Sequence, residues 1–170
     1  MVLAGFVGTF LIVGAFAAKD YSVERQTTIN KPRAEVFAFI KLLKNQDRYS
    51  KWAMMDPAMK KTFTGKDGTV GAVSGWESQN PDVGKGEQEI KGIVEGQRID
   101  FELRFKEPFE ATDKAYMITE SSGNATIVKW GFNGRMSYPQ NLMLIFMNFD
   151  KMLGDDLAIG LYNLKKLLEK

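Results

Sequence analysis

Residues 99–106 read IDFELRFK and show the strictest alternation of apolar and charged side chains in the chain. The apolar members occupy the odd positions: Ile99, Phe101, Leu103 and Phe105. Because side chains of a β-strand point alternately to its two faces, this pattern predicts a strand with one buried and one solvated face. A sheet built from such strands needs a second element to cover its apolar face.

Strand-like segments separated by short turns lie on both sides of this stretch. They are predicted at residues 21–29, 59–64, 71–78, 86–94, 111–120 and 125–132. Between the first and second of them, helical spacing over residues 36–43 and a turn-like segment at 45–52 predict two short helices. Consecutive strands joined by short turns predict an antiparallel meander.

The C-terminal part of the chain supplies the element that can cover the sheet. Residues 140–169 carry a broad apolar stripe at helical spacing, which predicts a helix about 45 Å long. Gly154 and Gly160 lie inside it, where glycine usually marks a close approach, a kink or space left for something else. We therefore predict an α+β fold in which a curved antiparallel sheet of about seven strands wraps around this helix.

Composition excludes several classes of function. The chain has 170 residues, enough for one domain of ordinary size, and it contains neither cysteine nor histidine. Disulfides, thiolate or histidine catalysis and histidine or cysteine metal ligands are therefore ruled out, and we predict no metal, no cofactor and no catalytic residues. The net charge of +2, from 23 basic and 21 acidic residues, gives no nucleic-acid footprint.

The N-terminal segment, residues 2–18, reads VLAGFVGTFLIVGAFAA and contains no charge. Three interpretations are open: a membrane anchor, a cleaved signal peptide and a buried core helix. We favour a single-pass anchor or signal segment at 1–18 followed by a separate ligand-binding domain at 19–170. This predicts a membrane-associated protein whose side of the membrane is open, and a secreted or periplasmic one if residues 15–17 form a cleavage site.

Four segments resemble sequence motifs of a known superfamily. They are residues 23–37 (VERQTTINKPRAEVF), 49–57 (YSKWAMMDP), 68–87 (GTVGAVSGWESQNPDVGKGE) and 150–165 (DKMLGDDLAIGLYNLK). Together they resemble the START/polyketide-cyclase-like superfamily, also called SRPBCC or helix-grip proteins. The resemblance implies a hydrophobic cavity between the sheet and the C-terminal helix. Members include lipid carriers, polyketide cyclases and aromatases, plant ligand-binding proteins and chaperone activators.

Large apolar side chains on the inner sheet face and on the helix stripe are the candidate ligand-binding residues. Core packing would also account for them, because the inner face of such a sheet is at once core and cavity wall. The candidates are Trp52, Trp76, Phe101, Leu103, Phe105, Tyr116, Trp130, Phe146, Phe149 and Met152.

These observations favour one function and leave two others open. The first is binding of a lipid or other small hydrophobic ligand, as a carrier or sensor. The second is a polyketide cyclase or aromatase that transfers protons through tyrosine or a carboxylate, although the missing histidines count against it. The third is a protein-binding domain of the chaperone-activator kind, whose protein partner the sequence does not name.

Overall fold

The computed structural model of the protein describes residues 18–170. Seven strands form one antiparallel sheet in the order β1-β7-β6-β5-β4-β3-β2. The strands are β1 (Asp20–Ile29), β2 (Lys60–Thr64), β3 (Val73–Glu77), β4 (Lys85–Val94), β5 (Arg98–Glu107), β6 (Ala111–Ser122) and β7 (Ala125–Arg135). From β2 to β7 the sheet is a meander, and β1 pairs with β7 at the far edge. The predicted curved seven-stranded sheet is therefore confirmed.

Short helices connect β1 to β2. They are α1 (Arg33–Ile40), α2 (Leu43–Gln46) and α3 (Lys51–Met55). The second predicted helical segment is thus divided into two helices of about one turn each. Asp67 fixes the start of α2, because its carboxylate accepts hydrogen bonds from the backbone N–H groups of Leu43 (2.7 Å) and Lys44 (3.3 Å).

The C-terminal helix is shorter than predicted. A 3₁₀ turn (Gln140–Leu142) and a one-turn helix α4 (Met143–Phe146) precede the long helix α5 (Phe149–Leu168). Met147 is extended, and Asn148 is the N-cap of α5, its side chain accepting a hydrogen bond from the Lys151 N–H at 2.9 Å. The cap competes with a continuous helix because it satisfies a backbone donor that would otherwise lack a partner.

Helix α5 lies across the inner face of the sheet and is fixed to β1 at its start. The Arg25 guanidinium donates to the Asp150 carboxylate and to the Asp150 carbonyl oxygen, each at 2.9 Å. Gly154 leaves the space that this guanidinium occupies. An ion pair between Lys51 and Asp156 also joins α3 to α5. These contacts fix the separation between helix and sheet.

The hydrophobic core lies between the inner sheet face and the helices. On β5 the alternation predicted from residues 99–106 is present, with Ile99 and Phe101 buried and Arg104 on the opposite face. Leu157, Leu161 and Leu164 are the fully buried residues by which α5 meets this face. Leu103 and Phe105, nearer the end of β5, are only partly buried. The core is therefore incomplete toward this end of β5.

The predicted membrane-associated localisation requires correction. No helix within residues 18–170 is both long and apolar enough to cross a bilayer. The single-pass anchor prediction rested on residues 1–18, of which residues 1–17 lie outside the described residues. The prediction of a membrane partner is therefore withdrawn.

Candidate functional site: a cavity between sheet and helix

A cavity of about 190 Å³ lies where the core is incomplete. Strands β2 to β7 form one side of it, α2 and α3 a second side, and Leu153 and Leu157 of α5 a third. We call it the sheet–helix cavity. Its volume lies below the roughly 300–1,000 Å³ typical of sites for drug-sized ligands, so it fits a compound with one or two rings.

All three tryptophans of the protein line the sheet–helix cavity. Trp52 of α3 meets Trp130 of β7 nearly at right angles, with ring centroids 6.3 Å apart. Trp76 of β3 meets Phe105 of β5 in the same edge-on manner at 5.9 Å. The Trp76 indole N–H donates to the Val83 carbonyl oxygen at 3.2 Å. These edge-on contacts hold large apolar surfaces against the cavity.

Two glycines make room for these indoles. A Cβ atom at Gly86, the cross-strand neighbour of Trp76, would lie 2.5 Å from the indole Cζ2 atom. A Cβ atom at Gly160 of α5 would lie 2.8 Å from Cζ3 of Trp130. A larger residue at either position would have to displace a rigid ring. Both glycines therefore help to determine the shape of the cavity.

Polar side chains line the part of the cavity next to α2, β3 and β4. Ser74 and Gln88 lie directly opposite each other on β3 and β4, and Gln46 reaches the cavity from α2. Lys61 of β2 forms an ion pair with Asp47 at 2.8 Å, and both residues border the cavity. The cavity thus has an aromatic part and a polar part, which suits an amphipathic small molecule.

Charged residues of the neighbouring strands lie on the outer sheet face. Arg104 donates to Glu87 (2.7 Å), Glu89 (2.8 Å) and Glu102 (2.5 Å). Hydrogen bonds from Arg104 are the main reason that the pKa values of Glu87 and Glu89 lie below the ordinary range. Glu87 and Glu89 are therefore held ionised on the face opposite the cavity.

Two tyrosines with perturbed pKa values lie near the cavity but do not line it. Tyr49 is fully buried, which raises its pKa, and its hydroxyl donates to the Met117 sulfur at 3.6 Å. Tyr21 donates to Asp113 at 3.4 Å, and burial followed by the nearby carboxylate raises the pKa of Tyr21. Burial also raises the pKa of Asp113. Both tyrosines therefore remain neutral at ordinary pH.

Half of the ten candidate ligand-binding residues line the sheet–helix cavity. These five are Trp52, Trp76, Leu103, Phe105 and Trp130. Phe101 is buried in the core beside them. Tyr116 lies on the outer face, where its hydroxyl donates to Glu24 at 2.6 Å.

The other three candidates are Phe146 of α4 and two residues near the start of α5, Phe149 and Met152. Phe146 and Met152 are exposed, and Phe149 packs against Tyr21 with ring centroids 5.2 Å apart. The extended residue Met147 separates Phe146 from α5, whereas Met152 belongs to α5 and lies on an exposed side of that helix. None of the three lines the cavity.

The cavity also contains residues that sequence reasoning did not select. Ser74 and Gln88 are polar residues on inward-pointing strand positions, and they share a face with Trp76 and Leu103. An uncharged polar residue at an inward-pointing strand position could have identified Ser74 and Gln88 as cavity residues from the sequence. Gln46 gave no comparable signal, because a helix of one turn has no readable periodicity.

Solved structures of several proteins share this fold. The Aha1 dimer from Colwellia psychrerythraea is similar at a TM-score of 0.59 and 12% identity, over 88% of this chain and 96% of that one. Ara h 8.0201 is similar at a TM-score of 0.54 and 16% identity, over 85% and 98%. DynU16, a protein in the dynemicin biosynthetic locus, is similar at a TM-score of 0.61 and 13% identity, over 88% of this chain and 47% of DynU16.

The likeness establishes the fold. No family model matches the chain, and no curated protein matches it. At these levels of identity the neighbours define architecture alone, and the architecture is the START/polyketide-cyclase-like helix-grip fold that the sequence motifs indicated.

Proposed function

We propose that this chain binds a small, mainly apolar compound in the sheet–helix cavity. One observation carries the proposal: all three tryptophans converge on a space of about 190 Å³ that no side chain fills. Core packing is normally dense, so an unfilled space beside large rings forgoes dispersion energy that a ligand would restore. Residues 19–170 are proposed as the ligand-binding domain.

The volume of the cavity limits the ligand. It is large enough to enclose a ring system, whereas a long acyl chain would have to extend out of it. We therefore narrow the hydrophobic-ligand hypothesis to compact ring-containing molecules, with a lipid bound by one end as the alternative.

The side chains that line the cavity favour ligand binding without a chemical reaction. Among the cavity residues, the titratable side chains are Asp47 and Lys61, which pair with each other, and the exposed Asp82. Such a set holds no buried general acid or base facing the aromatic part. A carrier or sensor of a hydrophobic compound fits this lining better than a cyclase does.

Isothermal titration calorimetry of the full chain with 2-ethylnaphthalene tests the proposal. Saturable binding with one site is expected for the wild type. In Ala115→Leu, a larger side chain on β6 fills the cavity, and binding is expected to fall at least tenfold. Ala158→Leu, on the exposed side of α5, is the matched control and should bind like the wild type. Equal binding by Ala115→Leu would refute the proposal, as would failure of the wild type to bind any naphthalene derivative of this size.

A further inference from the structure

Three uncharged polar side chains of the sheet–helix cavity lack partners. Within residues 18–170, no hydrogen bond is made by the side chains of Gln46, Ser74 or Gln88, although all three line the cavity. Ser74 is buried, at 6% exposure, and the Gln46 Nε2 atom is completely enclosed. A buried polar group without a hydrogen-bond partner costs about 1–3 kcal/mol, which applies to the enclosed Gln46 nitrogen, whereas the Ser74 hydroxyl and the Gln88 amide keep surface that a ligand can reach.

The three unmet groups lie close together in the fold. Ser74 and Gln88 are directly opposite each other in the β3–β4 register, and α2, which carries Gln46, packs against β3. Trp52 and Trp130 lie on the other side of the cavity, on α3 and β7. A ligand that places its rings against these indoles therefore directs its other end toward the three polar side chains.

The charges around this polar part disfavour an anionic ligand. Lys61 is its one basic residue, and the Asp47 carboxylate at 2.8 Å already neutralises it. Asp82 adds a further negative charge to the cavity lining. A carboxylate on the ligand would enter a partly desolvated space of net negative charge. An uncharged acceptor meets no such penalty.

From this arrangement we infer that the ligand is uncharged and carries a carbonyl oxygen that accepts hydrogen bonds from the Ser74 hydroxyl and the Gln88 amide, the two groups without a protein partner that are accessible from the cavity. The inference rests on the proposed function and names the chemical class of its ligand: a ketone, ester or amide attached to a compact apolar ring system. Hydrogen-bond donors that are unmet without ligand discriminate strongly between a carbonyl compound and its hydrocarbon analogue.

Three ligands with one skeleton test the inference by calorimetry on the full chain. They are 2-acetonaphthone, 2-ethylnaphthalene and 2-naphthoate, which differ in a ketone, a methylene and a carboxylate. The ketone is expected to bind about tenfold more tightly than either analogue, the difference that one satisfied hydrogen bond provides. In Gln88→Met, the affinity for the ketone should fall to that for the hydrocarbon measured on the same variant. Gln26→Met, on the exposed face of β1, is the matched control.

The outcomes separate the two claims. If 2-ethylnaphthalene binds as tightly as the ketone, or 2-naphthoate binds most tightly, the inference is wrong while the proposed function stands. If none of the three binds, both are wrong. Ser74→Ala extends the test if Gln88→Met unfolds. A ketone preference that survives in every folded variant of this set also overturns the inference.

Discussion

Gly160 of α5 lies directly against the indole of Trp130: a Cβ atom at position 160 would come within 2.8 Å of Cζ3. The indole in turn meets Trp52 at a centroid distance of 6.3 Å and Tyr49 at 5.7 Å, so it has little freedom to move away. The helix approaches β7 closely at this glycine, and the large ring of Trp130 occupies the gap between them. This contact places the indole at the edge of the sheet–helix cavity.

We expect Gly160→Ala to destabilise the protein by about 1–3 kcal/mol, the usual cost of overpacking. Helix propensity alone predicts the opposite sign, a gain of about 1 kcal/mol for alanine within a helix. Denaturant unfolding in the Trp130→Leu background separates the two effects. Without the indole, Gly160→Ala should stabilise, and destabilisation of similar size in both backgrounds would show that the indole is not the cause.

Phe101 and Phe105 lie on the same face of β5 and should respond differently to truncation. Phe101→Ala removes a ring at 2% exposure from the packed core and should cost about 3–5 kcal/mol. Phe105→Ala should cost less, because its ring borders the cavity and lacks neighbours on one side. Ligand affinity should fall more in Phe105→Ala than in Phe101→Ala, because Phe105 lines the cavity. Unfolding and naphthalene titrations measured on both variants check this, and equal losses of stability would contradict it.

Asp113 should make the protein less stable as pH rises. Burial raises the pKa of its carboxyl above the ordinary value, so the folded chain binds more protons than the unfolded chain between the two pKa values. The contribution of this residue is therefore fully present below the unfolded value of about 4, and it is lost as pH rises through the folded pKa.

Asp113→Asn keeps an oxygen acceptor for the Arg135 N–H but no longer titrates. The free energy of unfolding of Asp113→Asn, relative to wild type, is therefore expected to increase with pH across this window. Urea unfolding at a series of pH values measures it, and taking the difference cancels the other carboxylates. A difference that stays constant, or declines, with pH would be inconsistent with a buried carboxyl of raised pKa.

Asn148 should contribute to stability as the cap that begins α5. Asn148→Ala removes the acceptor for the Lys151 N–H and should cost about 1 kcal/mol, whereas Asn148→Asp retains an acceptor and should cost little. If the helix were continuous from residue 140, alanine would be neutral or stabilising. Thermal unfolding of the two variants distinguishes these possibilities.

Local patterns predicted the elements of the fold more reliably than their ends. The alternation at residues 99–106 predicted the inner face of β5 because strand periodicity depends on neighbouring residues alone. The start of α5 was missed because an asparagine cap at position 148 interrupts an apolar stripe that remains helical in spacing on both sides. For Gly160 the sequence left three interpretations open: a close approach, a kink, or space left for something else. The structure has the close approach.

The cavity could be predicted only in part. Trp76, Leu103 and Phe105 follow from strand register, which assigns them to the inner face. Phe146 and Met152 were selected from the same helix stripe, yet neither lines the cavity. The chain changes direction at Met147, between Phe146 and α5, and Met152 lies on an exposed side of α5. The unmet amide of Gln46 depends on how α2 packs against β3, and such packing between distant segments leaves no trace in local periodicity.

Crystallography of the full chain with 2-bromonaphthalene tests the central claim most directly. The bromine atom gives an anomalous signal that locates the ligand independently of the surrounding density. We expect a single bromine peak inside the sheet–helix cavity, with the ligand rings in contact, within about 4 Å, with Trp52, Trp76 and Trp130. A cavity without bromine while the ligand occupies another surface, or one filled by rearranged tryptophan side chains, would contradict the account.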